Sequence, residues 1–212
     1  MEVVAFTFNP FMENTYVLHQ GGKGVIIDPG CYDPAEEQEL VDYIESNGIM
    51  IEKIINTHGH IDHVLGNSFT KNKFNAPLWI GEHDVQTLKS VEAYAPSYGF
   101  QKYQSTEPDH LIKEGDVISV GSGELSVLFV PGHAPGHIAF YNAEHGFIIG
   151  GDVLFRESIG RTDLPGGNFD TLMESIKNKF YPLPDETIVY PGHGGETTLG
   201  HEKKYNPFCR IA

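Results

Sequence analysis

The sequence predicts an α/β protein in which two β-sheets pack face to face and helices cover their outer surfaces. Three observations support this fold class. Strand-like and helix-like segments follow the order strands, helix, strand, helix, and the second half of the chain repeats that order. The 212 residues are 40% hydrophobic and 20% charged, which is typical of a globular protein. No linker, internal repeat or low-complexity tract divides the chain, so we expect a single domain over residues 1–212.

The first half begins with three short runs rich in Val, Ile, Tyr and Phe, separated by turn residues. We predict these strands at Glu2–Phe8, Asn14–His19 and Gly24–Asp28. A helix follows, because Asp33 can cap it, Pro34 suits its first position, Glu36 completes a capping-box pattern and Gly48 can end it. The next predicted elements are a strand at Ile51–Asn56, a strand at Pro77–Ile80 and a helix at Glu82–Ser90. Residues 93–108 show no clear period and are predicted as loop with at most a helical turn.

The second half has the same style of short strands followed by a longer helix. The strands are predicted at Asp116–Val120, Glu124–Val130, Ile138–Asn142, Gly146–Gly150 and Thr187–Tyr190. The clearest helix is Asn168–Phe180, which Asn168 can cap and whose apolar residues form one stripe. A short helix at Leu199–Tyr205 is expected near the end of the chain.

Charge and cysteine content exclude several classes of function. The formal net charge of −15 argues against nucleic-acid binding, because an acidic surface repels phosphate backbones. Cys31 and Cys209 are too few for a disulfide framework, so we expect two free thiols in a reducing compartment. The N-terminus lacks the features of a signal peptide, and no apolar run approaches the ~20 residues of a membrane span. We therefore expect a cytoplasmic protein without nucleic-acid or membrane partners.

The densest group of metal-competent side chains is T-H-G-H-I-D-H, which begins at Thr57 and directly follows a predicted strand. His58 and His60 can point from one loop toward one ion, while Asp62 and His63 can face a second ion. The spacing differs from H-E-x-x-H, where two histidines share one face of a helix. We therefore expect the site on a loop above the edge of a sheet.

Three further candidate ligands each follow a hydrophobic strand and a glycine: His133, Asp152 and His193. Seven candidate ligands exceed the four of one tetrahedral zinc, so two metal ions are expected, with Asp152 as the bridging carboxylate. Imidazole and carboxylate together suit zinc, and also iron or manganese. His137 is an alternative to His133, and we choose His133 because it directly follows the strand; His137 is then a structural or supporting residue.

For several other residues the sequence allows either a role at the site or an ordinary structural role. Asp28 ends a strand as the ligands do, and it either supports a ligand or only caps a turn. Cys31 either approaches the site or is a buried free thiol. Tyr94, Tyr98 and Tyr103 either line a substrate pocket or pack elsewhere.

The motif set resembles the metallo-β-lactamase superfamily over nearly the whole chain. Its H-x-H-x-D-H motif matches His58 to His63, and its later His, Asp and His match His133, Asp152 and His193. The resemblance implies a four-layer αβ/βα sandwich with the metals at one edge. It also implies the following ligand sets. The first metal would bind His58, His60, His133 and Asp152, and the second would bind Asp62, His63, Asp152 and His193.

Within that superfamily the chain is similar to short glyoxalase II-like (hydroxyacylglutathione hydrolase-like) enzymes, in the stretch from Gly151 to Gly167 and in Y-P-G-H-G. The resemblance implies hydrolysis of a thioester such as S-lactoylglutathione, or of an ester, by a metal-activated hydroxide. Asp62 and Asp152 are then the candidate catalytic carboxylates, and Arg161 is the candidate for holding a substrate carboxylate. Two cations, two carboxylates and one hydroxide leave a formal charge of about +1, which would attract a small anionic substrate.

The family resemblance also leaves an alternative open. Persulfide dioxygenases of the same fold carry a G-R-T-D segment, as at Gly160 to Asp163, and use one iron held by the equivalents of His58, His133 and Asp152. The ligand list does not separate the two activities, because the chain has all seven ligands; we expect hydrolysis and keep oxidation as the alternative. Glyoxalase II enzymes with a C-terminal helical domain have a tyrosine where this chain has Gly195, which argues against glutathione as the thiol part.

Overall fold

The computed structural model describes residues 1–211, and its first half forms a mixed six-stranded sheet. The strands are β1 (Glu2–Phe8), β2 (Glu13–Gln20), β3 (Lys23–Ile27), β4 (Met50–Asn56), β5 (Leu78–Gly81) and β6 (His110–Ile112). Their order in the sheet follows the chain. The first three pair antiparallel and the rest pair parallel. Parallel neighbours need long connections, and the helices α1 (Pro34–Ser46), α2 (Ile61–Val64), α3 (Asn67–Phe74) and α4 (Val85–Tyr94) supply them.

The second half forms another six-stranded sheet, in the order β14-β13-β10-β9-β8-β7. Its elements are β7 (Val117–Val120), β8 (Gly123–Phe129), β9 (Ile138–Asn142), β10 (Phe147–Gly151), β13 (Ile188–Pro191) and β14 (Thr197–Thr198), with the small hairpin β11 (Leu154–Phe155) and β12 (Ser158–Ile159) and the helices α5 (Phe169–Ser175) and α6 (Leu199–Tyr205). Strand β8 is antiparallel to β9, β9 is antiparallel to β10, and β10 is parallel to β13. Strands β8, β10 and β13 therefore end at the same edge of the sheet.

Three apolar layers hold the sheets and helices together, and strand alternation explains them. Successive side chains of a strand point to opposite faces, so Val17 packs toward the helices while Leu18 packs toward the second sheet. In β10, Ile149 faces the first sheet and Ile148 faces α5. Strands buried on both faces are hydrophobic throughout. The result is a helix–sheet–sheet–helix sandwich, as the resemblance implied.

Helix α1 begins where the sequence predicts. The Asp33 side chain accepts hydrogen bonds from the backbone N–H groups of Ala35 and Glu36, and Glu36 completes the capping box. The helix predicted at Asn168–Phe180 is shorter than expected. Helix α5 ends at Ser175, and the chain continues as a π-helical turn over Ile176–Phe180. Its wider hydrogen bond runs from the N–H of Tyr181 to the carbonyl of Ile176.

Helix α3 was not predicted, because its two fully buried residues, Asn67 and Thr70, are polar. Asn67 is 1% exposed and exchanges two side-chain hydrogen bonds with Asn56 of β4, at 2.8 and 3.2 Å. Such a helix has no apolar stripe to recognise. The short strands β6, β11, β12 and β14 and the single-turn helix α2 were likewise not predicted. Helix α4 continues to Tyr94, beyond the predicted end at Ser90, and the rest of the segment predicted as loop contains a 3₁₀ turn at Ala95–Tyr98. Among residues 1–211, no helix has both the length and the apolar character needed to cross a bilayer.

Candidate metal centre

The loop after β4 carries four of the seven candidate ligands. His58 and His60 lie on the loop itself, while the single-turn helix α2 carries Asp62 and His63. Gly59 lets this loop lie against α4, because a Cβ at that position would stand 2.5 Å from the backbone nitrogen of Leu88. The close packing fixes the path of the chain between the two histidines.

One group of candidate ligands consists of His58, His60 and His133, whose ligand atoms all lie within 4.8 Å of one another. His60 Nδ1 is 2.8 Å from His133 Nε2. The other nitrogen of His133 bonds to the backbone carbonyl of Arg161 at 2.8 Å, which turns Nε2 toward the group. The side chains of all three are largely buried.

A second group consists of Asp62, His63 and His193, which also meet within 4.8 Å. His193 Nε2 is 3.1 Å from Asp62 Oδ2, and His63 Nε2 is 3.7 Å from the same oxygen. The Nδ1 of His193 lies 3.1 and 3.2 Å from the backbone carbonyls of Phe11 and Met12. Because its side chain is 27% exposed, this side of the centre opens to solvent.

Asp152 lies between the two groups. Its Oδ2 is 3.5 Å from both His133 Nε2 and His193 Nε2, and its Oδ1 is 3.4 Å from His63 Nε2. Strand directions explain this convergence, because His133, Asp152 and His193 follow β8, β10 and β13, which end at one edge. The arrangement fits the expected bridging role of Asp152.

The donor set itself shows that metal ions fit here. His58 Nε2, His63 Nε2 and Asp152 Oδ1 are buried and have no hydrogen-bond partner among residues 1–211. Buried polar atoms rarely stay unpaired, and these three belong to the two ligand groups and the carboxylate between them. A cation held by imidazole and carboxylate would satisfy all three.

Burial favours the neutral imidazoles of His58 and His60. It lowers the pKa of His58 well below its usual value, and together with the charge of His133 it lowers the pKa of His60 to about 4. Burial alone would raise the pKa of Asp152, but the neighbouring histidines, His63 first, hold it far below its usual value. Neutral imidazole and ionised carboxylate are the forms that bind metal.

Asp28 supports the centre rather than merely capping a turn. Its carboxylate accepts hydrogen bonds from the backbone N–H and hydroxyl of Thr57, at 2.7 and 2.6 Å, and lies 3.1 Å from His63 Nδ1. The backbone of Asp28 adopts φ 51°, a strained conformation that asparagine and aspartate tolerate better than most residues. Its place at the end of a strand was the sequence signal for this role.

His137 is a supporting residue, and His133 is the ligand candidate. His137 is fully buried, and its Nε2 accepts a hydrogen bond from the backbone N–H of Asp152 at 3.0 Å. Its ring stacks on that of His58, with centroids 4.6 Å apart. It thereby holds the backbone of Asp152 in place without entering any of the groups of candidate ligands.

Two buried acids were not predicted. Asp84 is fully buried, and its carboxylate accepts hydrogen bonds from the backbone N–H groups of Gly59 and Gly136 and from the Thr87 hydroxyl. Glu13 is also fully buried, with one oxygen 3.9 Å from His63 Nδ1, and burial raises its pKa well above the usual value. No motif marks either position, since the role of each acid depends on contacts with residues distant in sequence.

Cys31, the three tyrosines and Arg161, whose roles the sequence left open or proposed, differ in how far they are buried. Cys31 is a buried free thiol packed against Gly66, and burial raises its pKa. Tyr94 and Tyr103 pack at the edge of the core, whereas Tyr98 is 57% exposed. Arg161 lies beside the centre, since its carbonyl bonds to His133, but its guanidinium forms two 2.7 Å hydrogen bonds to Asp163.

The stacked sheets and the clustered imidazoles and carboxylates define a protein built to hold metal ions at one edge of an αβ/βα sandwich. The sequence model of the metallo-beta-lactamase superfamily matches residues 8–193. The chain belongs to that superfamily of metal-dependent hydrolases.

Three similar proteins cover nearly the whole chain. Hydroxyacylglutathione hydrolase GloC of Haemophilus influenzae is 35% identical over 211 residues, which span 98% of each protein. The crystal structure of TTHA1623 in a di-iron-bound form is 36% identical, with a TM-score of 0.87 over 97% of this chain and 100% of that one. The BLEG-1 B3 metallo-beta-lactamase is 32% identical, with a TM-score of 0.85 over 98% and 99%.

Proposed function

We propose that this protein is a dinuclear metal-dependent hydrolase of thioesters or esters, similar to glyoxalase II. The observation that carries the proposal is that Asp152 lies within 3.5 Å of His133 in one group of candidate ligands and of His63 and His193 in another. The hydroxyacylglutathione hydrolase among its relatives supports a thioester substrate, and the di-iron form of TTHA1623 supports two ions.

The residues of each group define which ion they would hold. His58, His60, His133 and Asp152 would hold the first ion, and Asp62, His63, His193 and Asp152 the second. The donor set suits zinc, with iron or manganese as further candidates. Bound ions supply Lewis acidity and a water of lowered pKa, about 7 in zinc enzymes.

The protein's own groups orient the site and handle the proton. Asp28 and the carbonyls of Phe11 and Met12 hold His63 and His193 by their Nδ1 atoms, so that both Nε2 atoms face the centre. The side chain of Asp62 is 15% exposed, compared with 10% for Asp152, and its neighbours lower its pKa against the effect of burial. A lowered pKa keeps Asp62 ionised near neutral pH, so its carboxylate is available to accept the proton of the attacking water.

The charge of the site is lower than the ligands alone suggest. Asp28 adds a third carboxyl group beside the two candidate carboxylate ligands, so two bound divalent cations would have more acidic groups around them than the ligand set alone provides. Arg161 can still hold a substrate carboxylate, but Asp163 competes for the same guanidinium edge. A small anionic thioester remains the proposed substrate class, with recognition shared between Arg161 and contacts near the centre.

The test is hydrolysis by purified, metal-replete protein of S-lactoylglutathione and of a panel of thioesters and esters, with the bound metal measured on the same sample. We expect about two ions per chain and turnover that disappears on chelation. An Asp152→Asn variant that folds but has no activity is the matched control. If no substrate of the panel is hydrolysed, the proposal is refuted.

Oxidation of a persulfide by one iron is the alternative, and one variant separates the two. His193 belongs only to the second ligand group, so His193→Ala removes a ligand that the one-iron reaction does not use. A hydrolase is expected to lose its second ion and at least 100-fold in kcat/KM. One iron per chain, with oxygen uptake on glutathione persulfide retained in His193→Ala, would favour oxidation.

A further inference from the structure

An apolar surface, here named the lip, lies directly beside the open side of the metal centre. It consists of Phe11, Met12, Tyr98 and Phe155. The first three are 39%, 64% and 57% exposed, and Phe155 is half-buried. Single exposed apolar residues are common, but adjacent ones beside a reactive site indicate a binding surface.

The lip is joined to the second ligand group through its backbone and one ring. His193 Nδ1 bonds to the carbonyls of Phe11 and Met12, and the Phe155 ring stands perpendicular to the His193 ring with centroids 6.2 Å apart. On the other side of the same turn, the Asn9 side chain donates to the backbone carbonyl of Asp62 at 3.0 Å. The position of the lip relative to the centre is therefore fixed at two ligands.

The aromatic part of the lip rests on the core. The ring of Phe11 lies 6.2 Å from that of Tyr98 and 5.9 Å from that of Phe100, which is only 4% exposed. Met12 holds its side chain in solvent from a left-handed backbone, φ 58°, which a methionine rarely adopts. The turn between β1 and β2, in which the Met12 N–H donates to the Asn9 carbonyl, imposes this conformation and directs the side chain outward.

Charge around the centre also favours an uncharged neighbour. Bound cations would lie among the carboxyl groups of Asp28, Asp62 and Asp152, and the Arg161 guanidinium is already paired with Asp163. A group that sits on the lip next to the scissile carbonyl gains from leaving water rather than from ion pairing.

This inference rests on the proposed hydrolase function. We propose that the lip binds an apolar group next to the scissile carbonyl, so that among the anionic thioesters and esters of the proposed class those that also carry an aliphatic or aromatic group are preferred. The apolar group can belong to the acyl part or to the thiol part of the substrate.

The first experiment separates these two sources with two substrate series. One varies a straight acyl chain from two to eight carbons on a fixed thiol, and the other varies the thiol on a fixed acetyl group. We expect kcat/KM to rise about two- to fourfold per methylene in at least one series, the fourfold limit being full burial of a CH₂. If kcat/KM does not change with chain length in either series although turnover is measurable, binding at the lip is refuted while the hydrolase function stands.

A second experiment reads binding without turnover. The dissociation constants of straight-chain carboxylates from acetate to octanoate are measured by calorimetry on metal-replete protein. Tighter binding with chain length supports the lip even if no thioester is hydrolysed, which would count against the proposed function alone. Binding that is independent of length in this experiment, together with flat kinetics or no turnover, rejects the lip.

Two variants and a control localise the effect. Met12→Asn removes the apolar side chain and places at φ 58° a residue that tolerates it, so folding is preserved. Tyr98→Ser removes an exposed ring. In each variant, the factor by which kcat/KM rises per methylene is expected to fall toward one. The control Tyr205→Ser removes a ring that is 51% exposed on α6, and it is expected to leave this factor unchanged. A gain that survives in both lip variants would contradict the assignment.

Discussion

Replacement of Asp84 by asparagine tests whether one buried carboxylate positions two ligand loops at once. Asp84 precedes α4 and is not itself a candidate ligand, yet its carboxylate accepts two backbone hydrogen bonds from the ligand loops. One comes from the N–H of Gly59, which lies between His58 and His60, and the other from the N–H of Gly136, three residues after His133. Gly136 has no room for a Cβ, which would clash with the backbone of Asp84. The start of α4 therefore clamps both loops.

The expected loss follows from the hydrogen bonds. Asparagine keeps the size of the side chain but replaces one acceptor oxygen with an NH₂ donor, which then faces a backbone N–H. Losing one charge-assisted bond in a buried site costs about 2 kcal/mol. Because burial raises the pKa of Asp84, removing its charge offsets part of this loss. For a chain of this size we expect Tm to fall by about 4–8 °C and metal affinity to fall about 10–100-fold.

The assay measures metal affinity by competition with a chromogenic chelator, beside thermal unfolding of the metal-free protein. Asp109→Asn is the matched control, because Asp109 also accepts a backbone N–H, from Leu78 at 2.8 Å, but contacts neither ligand loop. We expect the control to keep wild-type metal affinity. If Asp84→Asn loses stability but binds both ions as tightly as the wild type, the carboxylate has only a structural role and the reasoning is wrong.

Three further predictions follow from single contacts. Gly59→Ala should lower stability by about 1–3 kcal/mol in thermal unfolding, because its Cβ would stand 2.5 Å from the Leu88 nitrogen; an unchanged Tm would show that the loop can move away. Asp28→Asn should weaken binding of the ion near His63 about 10–100-fold in the chelator assay, since the Nδ1 of that histidine loses its carboxylate partner; equal affinity would remove Asp28 from the site. The hydrogen bond from Lys71 lowers the pKa of Asp109, so its stabilising effect is present above the ordinary Asp pKa of about 3.9 and is lost as pH falls below it. The Tm gap between wild type and Asp109→Asn should accordingly close in acid, and a constant gap would contradict this linkage.

Local pattern was enough to predict most of the fold. Helix α1 could be located by its capping box and terminal glycine, and the central strands by apolar runs that stay hydrophobic on both faces. Helix α3 could not, because Asn67 and Asn56 pair in the core in place of an apolar stripe. The π-helical turn after Ser175 could not be predicted either, because the apolar stripe of the predicted helix continues without interruption to Phe180.

The ligand types and their places at strand ends were determined by the sequence alone, because a strand followed by a glycine turn presents the next side chain at a sheet edge. What only the tertiary structure decided is which strand ends coincide. Strands β8, β10 and β13 run in one direction, and this brings His133, Asp152 and His193 to the loop after β4. The supporting groups Asp84, Glu13 and His137 depend on the same packing, since each acts on a segment distant in sequence. Hydrogen bonds of that range leave no periodic trace in the chain, and for that reason the second layer of the site had to be read from the folded molecule.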